Sequence, residues 1–258
     1  MSDTALEYLA GSSVRPATLA ALRDHDRLSI RELDDRMSAS RRTLKRTLNA
    51  MESRGWVRSI DGTYEFTALG GTILDTYEEF RDHERLADRL QPFLEHAPAA
   101  TFDLGLDALA DADVVAPDDD PGAFADRLVD LRAAATRVRE YAPFLLIDSV
   151  RQLSAQAKNG ESTPEVTLVL GTDLPPQSSP EYADRFETLT AAPNIDVRLN
   201  SDGPPLGIGI ADDRAFLGTA NGRGMPHALL VSDASEVVDW AERQFESCLS
   251  AAEPISPD

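Results

Sequence analysis

The chain has 258 residues, of which 42% are hydrophobic, so it can bury a core in one or two domains and is not disordered along its whole length. No apolar run approaches the roughly 18 residues of a membrane span. The first nine residues include acids and no basic region, which excludes a signal peptide. One cysteine, Cys248, excludes a disulfide framework and a multi-cysteine zinc site. We expect a cytoplasmic protein.

Charge is distributed unevenly along the chain, whose 25 basic and 45 acidic residues give a net charge of −20. Residues 1–70 contain 11 basic and 10 acidic residues, whereas the remainder contains 14 and 35. Between Arg36 and Arg58, seven basic residues accompany a single acid, Glu52. Blocks of opposite charge indicate different partners for the two parts of the chain.

Lysine is scarce, with only Lys45 and Lys158, and aspartate (28) outnumbers glutamate (17). This composition resembles that of proteins from extreme halophiles, in particular haloarchaea. The alternative is an acidic protein from a GC-rich bacterium. The halophile interpretation removes the need for a special function of most acids, and the acidic run at 118–120 is then predicted to be a solvated loop rather than a metal site.

Three helices are predicted within the first seventy residues. A serine cap followed by Pro16 opens the first helix. Ser29 and Glu32 have the spacing of a capping box and open the second. Ser40 caps a third helix, which Gly55 ends.

A hairpin is predicted to follow, because the β-rich segments 56–60 and 63–67 flank the turn pair Asp61-Gly62. Helix, helix, short turn, helix and hairpin is the order of a winged helix-turn-helix. The third helix should be the one that enters the major groove of DNA.

The helical period places Leu44, Leu48 and Met51 of the third helix on its core face. Arginine and lysine on the opposite face can bind guanine or phosphate, and asparagine can bind adenine. The alternative is that these are ordinary exposed residues. The candidate DNA-contacting residues are Ser40, Arg41, Arg42, Lys45, Arg46 and Asn49 on the helix, with weaker candidates Arg58, Thr63 and Tyr64 on the wing. Because Tyr64 and Phe66 alternate along one strand, one of the two is expected in the core.

Residues 33–57, followed by the segment 66–70, resemble the winged-helix domains of archaeal transcription regulators. The resemblance implies a winged helix-turn-helix fold and double-stranded DNA as the partner.

A long amphipathic helix is predicted over residues 68–96, where apolar side chains recur at spacings of three and four. Two roles compete for it. The helix either pairs with its copy in a homodimer, which we favour, or packs on its own chain between the domains. Its apolar positions are Leu69, Ile73, Tyr77, Phe80, Ala87, Leu90 and Leu94.

The acidic remainder alternates between helical and strand patterns, which predicts an α/β domain with a mixed sheet covered by helices. The predicted helices are 124–134, 148–158, 180–190 and 234–250, and the predicted strands are 165–170, 194–199, 206–210, 215–217 and 228–231. The whole chain is therefore predicted to be an α+β protein. Its predicted parts are a DNA-binding domain (1–70), a connecting or dimerisation helix (71–97) and an effector or sensor domain (98–258).

Motifs of catalysis and cofactor binding are incomplete in this acidic part. Gly207 and Gly209 lack the third glycine of a dinucleotide fingerprint, and residues 221–224 lack the Lys-Ser/Thr of a phosphate-binding loop. The histidines (His25, His83, His96, His227) show no ligand spacing, and Asp173, Asp212 and Asp213 have no identifiable acid–base partner. We expect no metal, no cofactor and no catalytic residues.

Segments 196–198, 205–218, 228–233 and 240–242 resemble the C-terminal domain of the archaeal methanogenesis-regulator (Fil-type) family. That resemblance implies a phospholipase D-like fold, shared with the sensor domain of sugar-responsive archaeal regulators. Phospholipase D chemistry needs His-x-Lys followed by Asp, and residues 98–258 contain only Lys158 and His227 of these types, far apart. The resemblance thus implies a binding or sensing role without catalysis. The acidic domain either senses a small molecule, contacts a partner or only holds the dimer together.

Two rival functions stay open. The winged helix could target an enzyme to nucleic acid or another phosphodiester, but conspicuous catalytic His and Lys residues are missing. It could instead be a protein-interaction module that never contacts DNA, but the basic window between Arg36 and Arg58 argues against this. We predict a transcription regulator that is not an enzyme.

Overall fold

The computed structural model describes residues 4–116, 122–144, 147–158, 164–173, 180–221 and 225–255. The predicted acidic loop at 118–120 and the glycine-rich turn at 222–224 lie outside these residues. The chain divides into two compact units, Met1–Arg85 and Leu86–Asp258. The division falls within the segment 71–97 that was predicted to connect two domains.

The N-terminal unit consists of helices and one small antiparallel sheet. Its elements are α1 (Ala5–Ala10), α2 (Val14–Arg23), β1 (Leu28–Ser29), α3 (Ile30–Arg36), α4 (Arg41–Ser53), β2 (Val57–Ile60), β3 (Thr63–Phe66) and the first part of α5 (Ala68–Leu94). The sheet order is β1-β3-β2. The predicted order of three helices and a hairpin is confirmed, and α1 and β1 add to it.

Side-chain caps explain where two of these helices begin. The Thr4 hydroxyl accepts a hydrogen bond from the Glu7 amide (3.2 Å), and the Glu7 carboxylate accepts one from the Thr4 amide (2.7 Å). Ser29 and Glu32 form the predicted capping box in the same way. The hydrogen bond that the Ser29 amide donates to the Glu32 carboxylate (2.8 Å) is the main cause that lowers the pKa of Glu32. Ser13 stands at the N-cap of α2, but its side chain makes no capping bond.

Buried leucines from α2, α3 and α4 form the core of the N-terminal unit, and α1 closes it with an aromatic contact. The rings of Tyr8 and Trp56 meet edge to face, with centroids 5.6 Å apart. The guanidinium groups of Arg15 and Arg54 each lie 4.2 Å from the centre of the Tyr8 ring. These cation–π contacts hold α1 against α2 and the end of α4.

A glycine contact joins the start of α5 to the hairpin. A Cβ atom on Gly70 would lie 2.2 Å from the carbonyl oxygen of Trp56, so no larger residue fits there. The Thr67 hydroxyl donates to carbonyl oxygens of Gly55 (2.8 Å) and Trp56 (2.9 Å) and accepts from the Gly70 amide (3.0 Å). Helix α5 therefore begins in direct backbone contact with the hairpin.

The predicted amphipathic helix is confirmed as α5, but its apolar residues do not form one continuous buried face. Leu74 is buried in the N-terminal unit, while Leu90 and Phe93 are buried in the C-terminal unit. By contrast, Leu69 is 51% exposed and Phe80 is 47% exposed. The apolar residues of α5 are thus divided between the two cores and two exposed positions, Leu69 and Phe80.

The C-terminal unit is an eight-stranded sheet with helices, in the order β11-β7-β6-β5-β8-β9-β10-β4. Strands β5, β6 and β7 pair in parallel, and the other pairs are antiparallel, so the predicted mixed sheet is confirmed. The unit contains the end of α5, a short 3-10 helix (Asp107–Leu109), β4 (Asp113–Val115), α6 (Ala123–Ala134), β5 (Arg137–Phe144), α7 (Ile147–Lys158), β6 (Glu165–Asp173), α8 (Pro180–Thr190), β7 (Ile195–Leu199), β8 (Gly207–Ala211), β9 (Arg214–Ala220), β10 (Pro226–Ser232), α9 (Ser235–Ser250) and β11 (Glu253–Pro254).

Strand β5 was not predicted, although it is central and joins the parallel part of the sheet to the antiparallel part. Its charged residues obscure the hydrophobic pattern by which a strand is recognised in a sequence. Glu140 is buried in an ion pair with Arg132, and Arg139 pairs with Glu242 of α9. The sheet accepts these charges in its centre because each has a partner of opposite sign.

Each face of the sheet covers a separate apolar cluster. On one face, Ile208, Leu217 and Leu230 pack with Trp240 and Phe245 of α9. The opposite face packs with α6, α7 and α8; its cluster includes Val138, Leu168, Phe216, Leu229, Leu128, Leu131, Leu153 and Leu189. The sheet is thus covered by helices on both sides, as expected for this class of fold.

Asp212 forms the turn between β8 and β9 and also binds the start of β5. Its φ is +53°, and its carboxylate accepts hydrogen bonds from the amides of Thr136 (3.0 Å) and Arg137 (2.9 Å) and from the Thr136 hydroxyl (2.9 Å). These bonds, led by that from the Thr136 amide, lower the pKa of Asp212. Asp212 therefore has a structural role in joining the turn to β5.

Asp212→Asn should destabilise the C-terminal unit, because asparagine tolerates the positive φ but lacks the charge. Loss of one net hydrogen bond, about 1 kcal/mol, corresponds to a fall in melting temperature of about 2–4 °C in a domain of this size. The lowered pKa means that the ionised carboxylate stabilises the fold above the ordinary pKa of 3.8. The stabilisation is lost as the pH falls through the lowered pKa.

Melting curves of the wild type and Asp212→Asn, recorded from pH 7 downward, measure this difference. It should be constant near neutrality and shrink below the ordinary aspartate pKa. Asp213→Asn is the matched control, because Asp213 has no hydrogen-bond partner in the described part of the chain. Equal melting temperatures for the wild type and Asp212→Asn at pH 7 would contradict the assignment.

Candidate nucleic-acid interface

Helix α4 begins at a side-chain cap and ends at a glycine. The Ser40 hydroxyl accepts a hydrogen bond from the Thr43 amide (3.3 Å), which satisfies one free donor of the first turn. Gly55, with a φ of +74°, follows the helix and turns the chain toward β2. The predicted helix and its cap are therefore confirmed.

The two faces of α4 differ as the helical period predicts. Leu44, Leu48 and Met51 are fully buried, and Thr47 is buried beside them. Arg42, Arg46 and Asn49, predicted on the opposite face, and Lys45, predicted at its margin, are all exposed. These four candidates present three cations and one amide to solvent.

Four of the seven basic residues between Arg36 and Arg58 are already held by other groups of the protein. Arg36 donates to the carbonyl oxygen of Glu32 (3.1 Å), and Arg41 pairs with Asp34 (2.7 Å). Arg54 donates to the Ala50 carbonyl (3.1 Å) and stacks on Tyr8. Arg58 pairs with Glu65, which also holds Arg27 (3.1 Å).

One member of each ion pair has a shifted pKa. The hydrogen bond from Arg58 is the main cause that lowers the pKa of Glu65. The hydrogen bond to Asp34 is the main cause that raises the pKa of Arg41. Asp34 and Glu65 thus pair with two arginines that were predicted to contact DNA. The sequence did not indicate either pair, since Asp34 and Glu65 come from α3 and β3.

The other three basic residues, Arg42, Lys45 and Arg46, have no ion-pair or hydrogen-bond partner within the described ranges. All three lie on one helix within two turns, beside Asn49. Uncompensated positive charge on this small surface contrasts with the strongly acidic chain around it. This group of four residues is called the α4 outer face below.

The hairpin turns at Asp61 (φ +49°) and Gly62 (φ +81°), as its sequence predicted. The Thr63 hydroxyl donates to the Ile60 carbonyl (2.7 Å), so it already has a partner. Tyr64 is only 8% exposed and belongs to the core of the N-terminal unit. Of Tyr64 and Phe66, Tyr64 is the core residue, and its burial removes it from the candidate DNA contacts.

Glu52, the single acid of the basic window, has a structural role. Its carboxylate accepts a hydrogen bond from the Ser59 amide (3.2 Å) and so ties the last turn of α4 to strand β2. The hairpin is thereby fixed relative to the α4 outer face. The lone negative charge does not weaken the interpretation of that face.

The C-terminal unit shows one side-chain pair that the sequence did not indicate. The rings of His96 and His227 meet with centroids 4.0 Å apart.

Within the described ranges, no group of three His, Cys, Asp or Glu side chains is placed to hold a metal ion. Burial raises the pKa of the Cys248 thiol to about 11, so this thiol is protonated at neutral pH. Among the helices that the structure describes, none has the length and apolar character needed to span a bilayer.

Comparison with solved structures gives only distant likenesses. The archaeal chromatin protein TrmBL2 is 12% identical, with a TM-score of 0.41 over 97% of this chain and 98% of that one. The phospholipase D family member Nuc from Salmonella typhimurium is 13% identical, with a TM-score of 0.44 over 57% of this chain and 98% of that one. NucT from Helicobacter pylori is 18% identical, with a TM-score of 0.44 over 56% and 98%. TM-scores below 0.5 are too low to carry a functional conclusion.

Family models match both ends of the chain. Residues 3–89 match the HVO_A0261 N-terminal domain. Residues 121–251, half of the chain, match the middle domain of the methanogenesis regulatory protein FilR1. No curated protein matches the chain. The chain therefore belongs to the family of the methanogenesis regulatory protein FilR1.

Proposed function

We propose that this protein is a transcription regulator that binds specific sites on double-stranded DNA through α4. The observation that carries the proposal is the α4 outer face, where Arg42, Lys45 and Arg46 lie beside Asn49 with no partner among the residues that the structure describes. A chain with a net charge of −20 has many carboxylates that could have neutralised these cations. Their lack of partners within the described residues fits a surface that binds a polyanion.

The chemistry of the α4 outer face suits the major groove. Arginine and lysine donate to guanine O6 and N7 or to phosphate, and the Asn49 amide can donate to and accept from adenine. The neighbouring Ser40, at the helix N-terminus, can add a hydroxyl near a phosphate. Arg41 and Arg58 would reach DNA only by leaving Asp34 and Glu65. We therefore assign specificity to Arg42, Arg46 and Asn49.

The C-terminal domain acts as a sensor rather than as an enzyme in this proposal. Its sequence matches the regulator family, and the residues from Leu86 onward lack the His-x-Lys sequence of phospholipase D chemistry. Binding of a small-molecule effector to this domain would alter the binding of DNA. A pure protein-interaction role for the winged helix is less consistent with the unpartnered cations of α4.

Single substitutions Arg42→Ala, Arg46→Ala and Asn49→Ala should each weaken binding to a specific site by about 1–3 kcal/mol without unfolding the protein. Genome-wide mapping of bound DNA supplies the site, and anisotropy titration measures the affinity. Arg58→Ala should have a smaller effect, because Glu65 already neutralises that guanidinium. Arg85→Ala, on an exposed and paired residue of α5, is the control outside the interface.

A thermal melt of each variant separates loss of binding from loss of folding. Wild-type affinity in all three α4 variants would rule out this helix as the DNA-reading element. A protein that binds no DNA at any salt concentration would instead favour the protein-interaction function.

We further propose that the protein is a homodimer built on the exposed stripe of α5. Leu69, Ile73, Thr76 and Phe80 follow one another at spacings of three and four on α5, and Leu6 of α1 lies beside them. Leu6 is 41% exposed. Large apolar side chains grouped on the surface in this way mark an interaction site, and a second copy provides a matching surface through two-fold symmetry.

Light scattering in high salt should give twice the 28.1 kDa of one chain. Phe80→Glu should give the mass of a single chain, because a charge buried within the apolar contact is desolvated without a partner. Glu79→Gln, at the adjacent position, should remain dimeric. A monomeric wild type at micromolar concentration would refute the dimer. A two-fold dimer also predicts a palindromic operator with half-sites about 10 base pairs apart or a multiple of that.

The composition supports function at high salt. In ordinary DNA-binding proteins the affinity falls with added salt, with a slope of about −0.9 per phosphate neutralised. At ~1 M salt the Debye length is roughly 3 Å, so the acidic domain no longer repels DNA from a distance. Specificity then depends on short-range contacts from the α4 outer face.

Folding and specific binding should both persist, or improve, as KCl rises from about 0.1 M to ~1 M or above. Circular dichroism and binding to the specific site across one KCl series test this. Steady loss of affinity along the ordinary salt slope, in a protein that stays folded throughout, would show that the halophilic interpretation is wrong.

A further inference from the structure

Two glycines on facing strands leave a hollow in the sheet of the C-terminal domain. Gly207 of β8 pairs with Gly218 of β9, and Gly218 pairs in turn with Leu229 of β10. The three atoms nearest to a Cβ on Gly207 would be backbone atoms of Gly218, at 3.4–3.6 Å, which is ordinary van der Waals contact. A Cβ on Gly218 would lie 3.2 Å from the ring of Phe124, which covers the hollow from α6.

At the neighbouring glycine of β8 the corresponding space is already filled. A Cβ on Gly209 would lie 2.0 Å from the ring of its cross-strand partner Phe216, so that ring occupies the position. The hollow at Gly207 and Gly218 is therefore a local feature of the sheet surface, bounded on one side by Phe216.

The hollow opens into a pocket that lies entirely within the C-terminal unit. Its walls are mostly apolar and include Phe124, Leu128, Ala142, Phe216 and Leu229. The enclosed cavity is small, about 40 Å³ for the centres of water-sized spheres, and the total space including the part open to solvent is about 440 Å³. The enclosed part lies well below the range for drug-sized ligands, so it suits only one small ring or a short branched chain, with part of the ligand left at the open side.

One wall of the pocket is polar and carries the buried ion pair of Arg132 and Glu140. Arg132 is 1% exposed, and its Nε and Nη2 atoms donate to the two carboxylate oxygens of Glu140 at 2.6–2.9 Å. Its Nη1 donates to the Ser149 hydroxyl (3.0 Å) and the Gln152 side-chain oxygen (3.3 Å). Each guanidinium nitrogen therefore has a partner.

These hydrogen bonds determine which ligand chemistry the pocket accepts. The guanidinium charge is already neutralised, so an anion would have to displace Glu140. An added cation would bring an uncompensated charge into a buried site, which is unfavourable. Two groups remain available to a ligand. The Glu140 carboxylate can accept a further hydrogen bond, and the Ser149 hydroxyl proton has no acceptor among the described residues.

We propose that this pocket binds a small uncharged molecule with an apolar body and one hydroxyl group, which donates to Glu140 and accepts from Ser149. The apolar body fills the hollow at Gly207 and Gly218. Hydrogen bonding to a buried charged acceptor gives the site a preference for hydroxylated ligands over their deoxy analogues, since the analogue lacks that hydrogen bond while Glu140 stays paired with Arg132.

As an effector site, this pocket rests on the proposed function as a regulator. Binding of the small molecule itself does not depend on DNA, so it is measured on the full chain without DNA. A failure of this experiment would leave the DNA-binding proposal standing, and a failure of DNA binding would leave the pocket standing.

Fluorine NMR titration of 4-fluorophenol, fluorobenzene and 4-fluorobenzoate against the protein in high KCl tests the proposal. We expect saturable binding of 4-fluorophenol. Fluorobenzene should bind at least about tenfold more weakly, the factor expected for one hydrogen bond to a charged acceptor. The benzoate should not bind. No saturable binding of 4-fluorophenol, or equal binding of all three probes, would overturn the proposal.

Substitutions locate the site. Gly207→Ala and Gly207→Val fill the hollow in two steps and should progressively remove binding of both 4-fluorophenol and fluorobenzene. Gly105→Val is the control, because a Cβ there meets no atom within 4 Å. Binding of 4-fluorophenol that is unchanged in Gly207→Val would place the site elsewhere and overturn the proposal.

A second pair of variants tests the polar wall and does not depend on the glycine variants folding. Ser149→Ala should weaken 4-fluorophenol and leave fluorobenzene unchanged. Ser154→Ala should affect neither probe, because Ser154 is also buried on α7 but bonds to the Arg151 carbonyl of its own helix (3.1 Å). Equal effects of the two serine variants on 4-fluorophenol would overturn the assigned role of Ser149.

Discussion

Pairing of arginine with carboxylate is the interaction on which both units of this protein depend. With 45 acids and 25 basic residues, most positive charges have several possible partners. Arg132 and Glu140 join α6 to the central strand, and Arg58 and Glu65 join the two strands of the hairpin. In such a chain, a cation without a partner is more informative than one with a partner.

The three cations of α4 that lack partners among the described residues are informative because the chain is so rich in acids. In a protein of balanced charge, three exposed basic residues on a helix would be ordinary solvated side chains. Here the same window also contains Arg41, Arg54 and Arg58, which are held by a carboxylate, an aromatic ring and a carboxylate respectively. The structure thus separates basic residues that stabilise the N-terminal unit from those that are available to DNA.

Local patterns in the sequence predicted most of the fold, because caps, turns and helical periods depend on neighbouring residues. The Ser29 capping box, the Asp61-Gly62 turn and α9 are examples. Strand β5 escaped prediction because its charged residues are neutralised by Arg132 and by α9, which are partners that no local pattern reveals. Helix α1 was also missed, since six residues are too few to show a period.

The candidate site was predictable to the same extent and for the same reason. The helical period placed Leu44 and Leu48 inside and Arg42 and Arg46 outside. It could not show that Asp34 and Glu65 already hold Arg41 and Arg58, because those contacts join different elements. The pocket beside Glu140 could likewise not be predicted from the sequence, since it depends on the strand register that pairs Gly207 with Gly218.

The glycine at position 70 has a consequence for how a dimer of this protein would meet DNA. Since only glycine fits against the Trp56 carbonyl, α5 packs directly on the backbone of the residue that precedes the hairpin. Glu52 links α4 to the hairpin through its bond to Ser59. Two copies joined along α5 would therefore hold their α4 helices at a defined separation. Such a dimer would select operators by the distance between the two half-sites as well as by their bases.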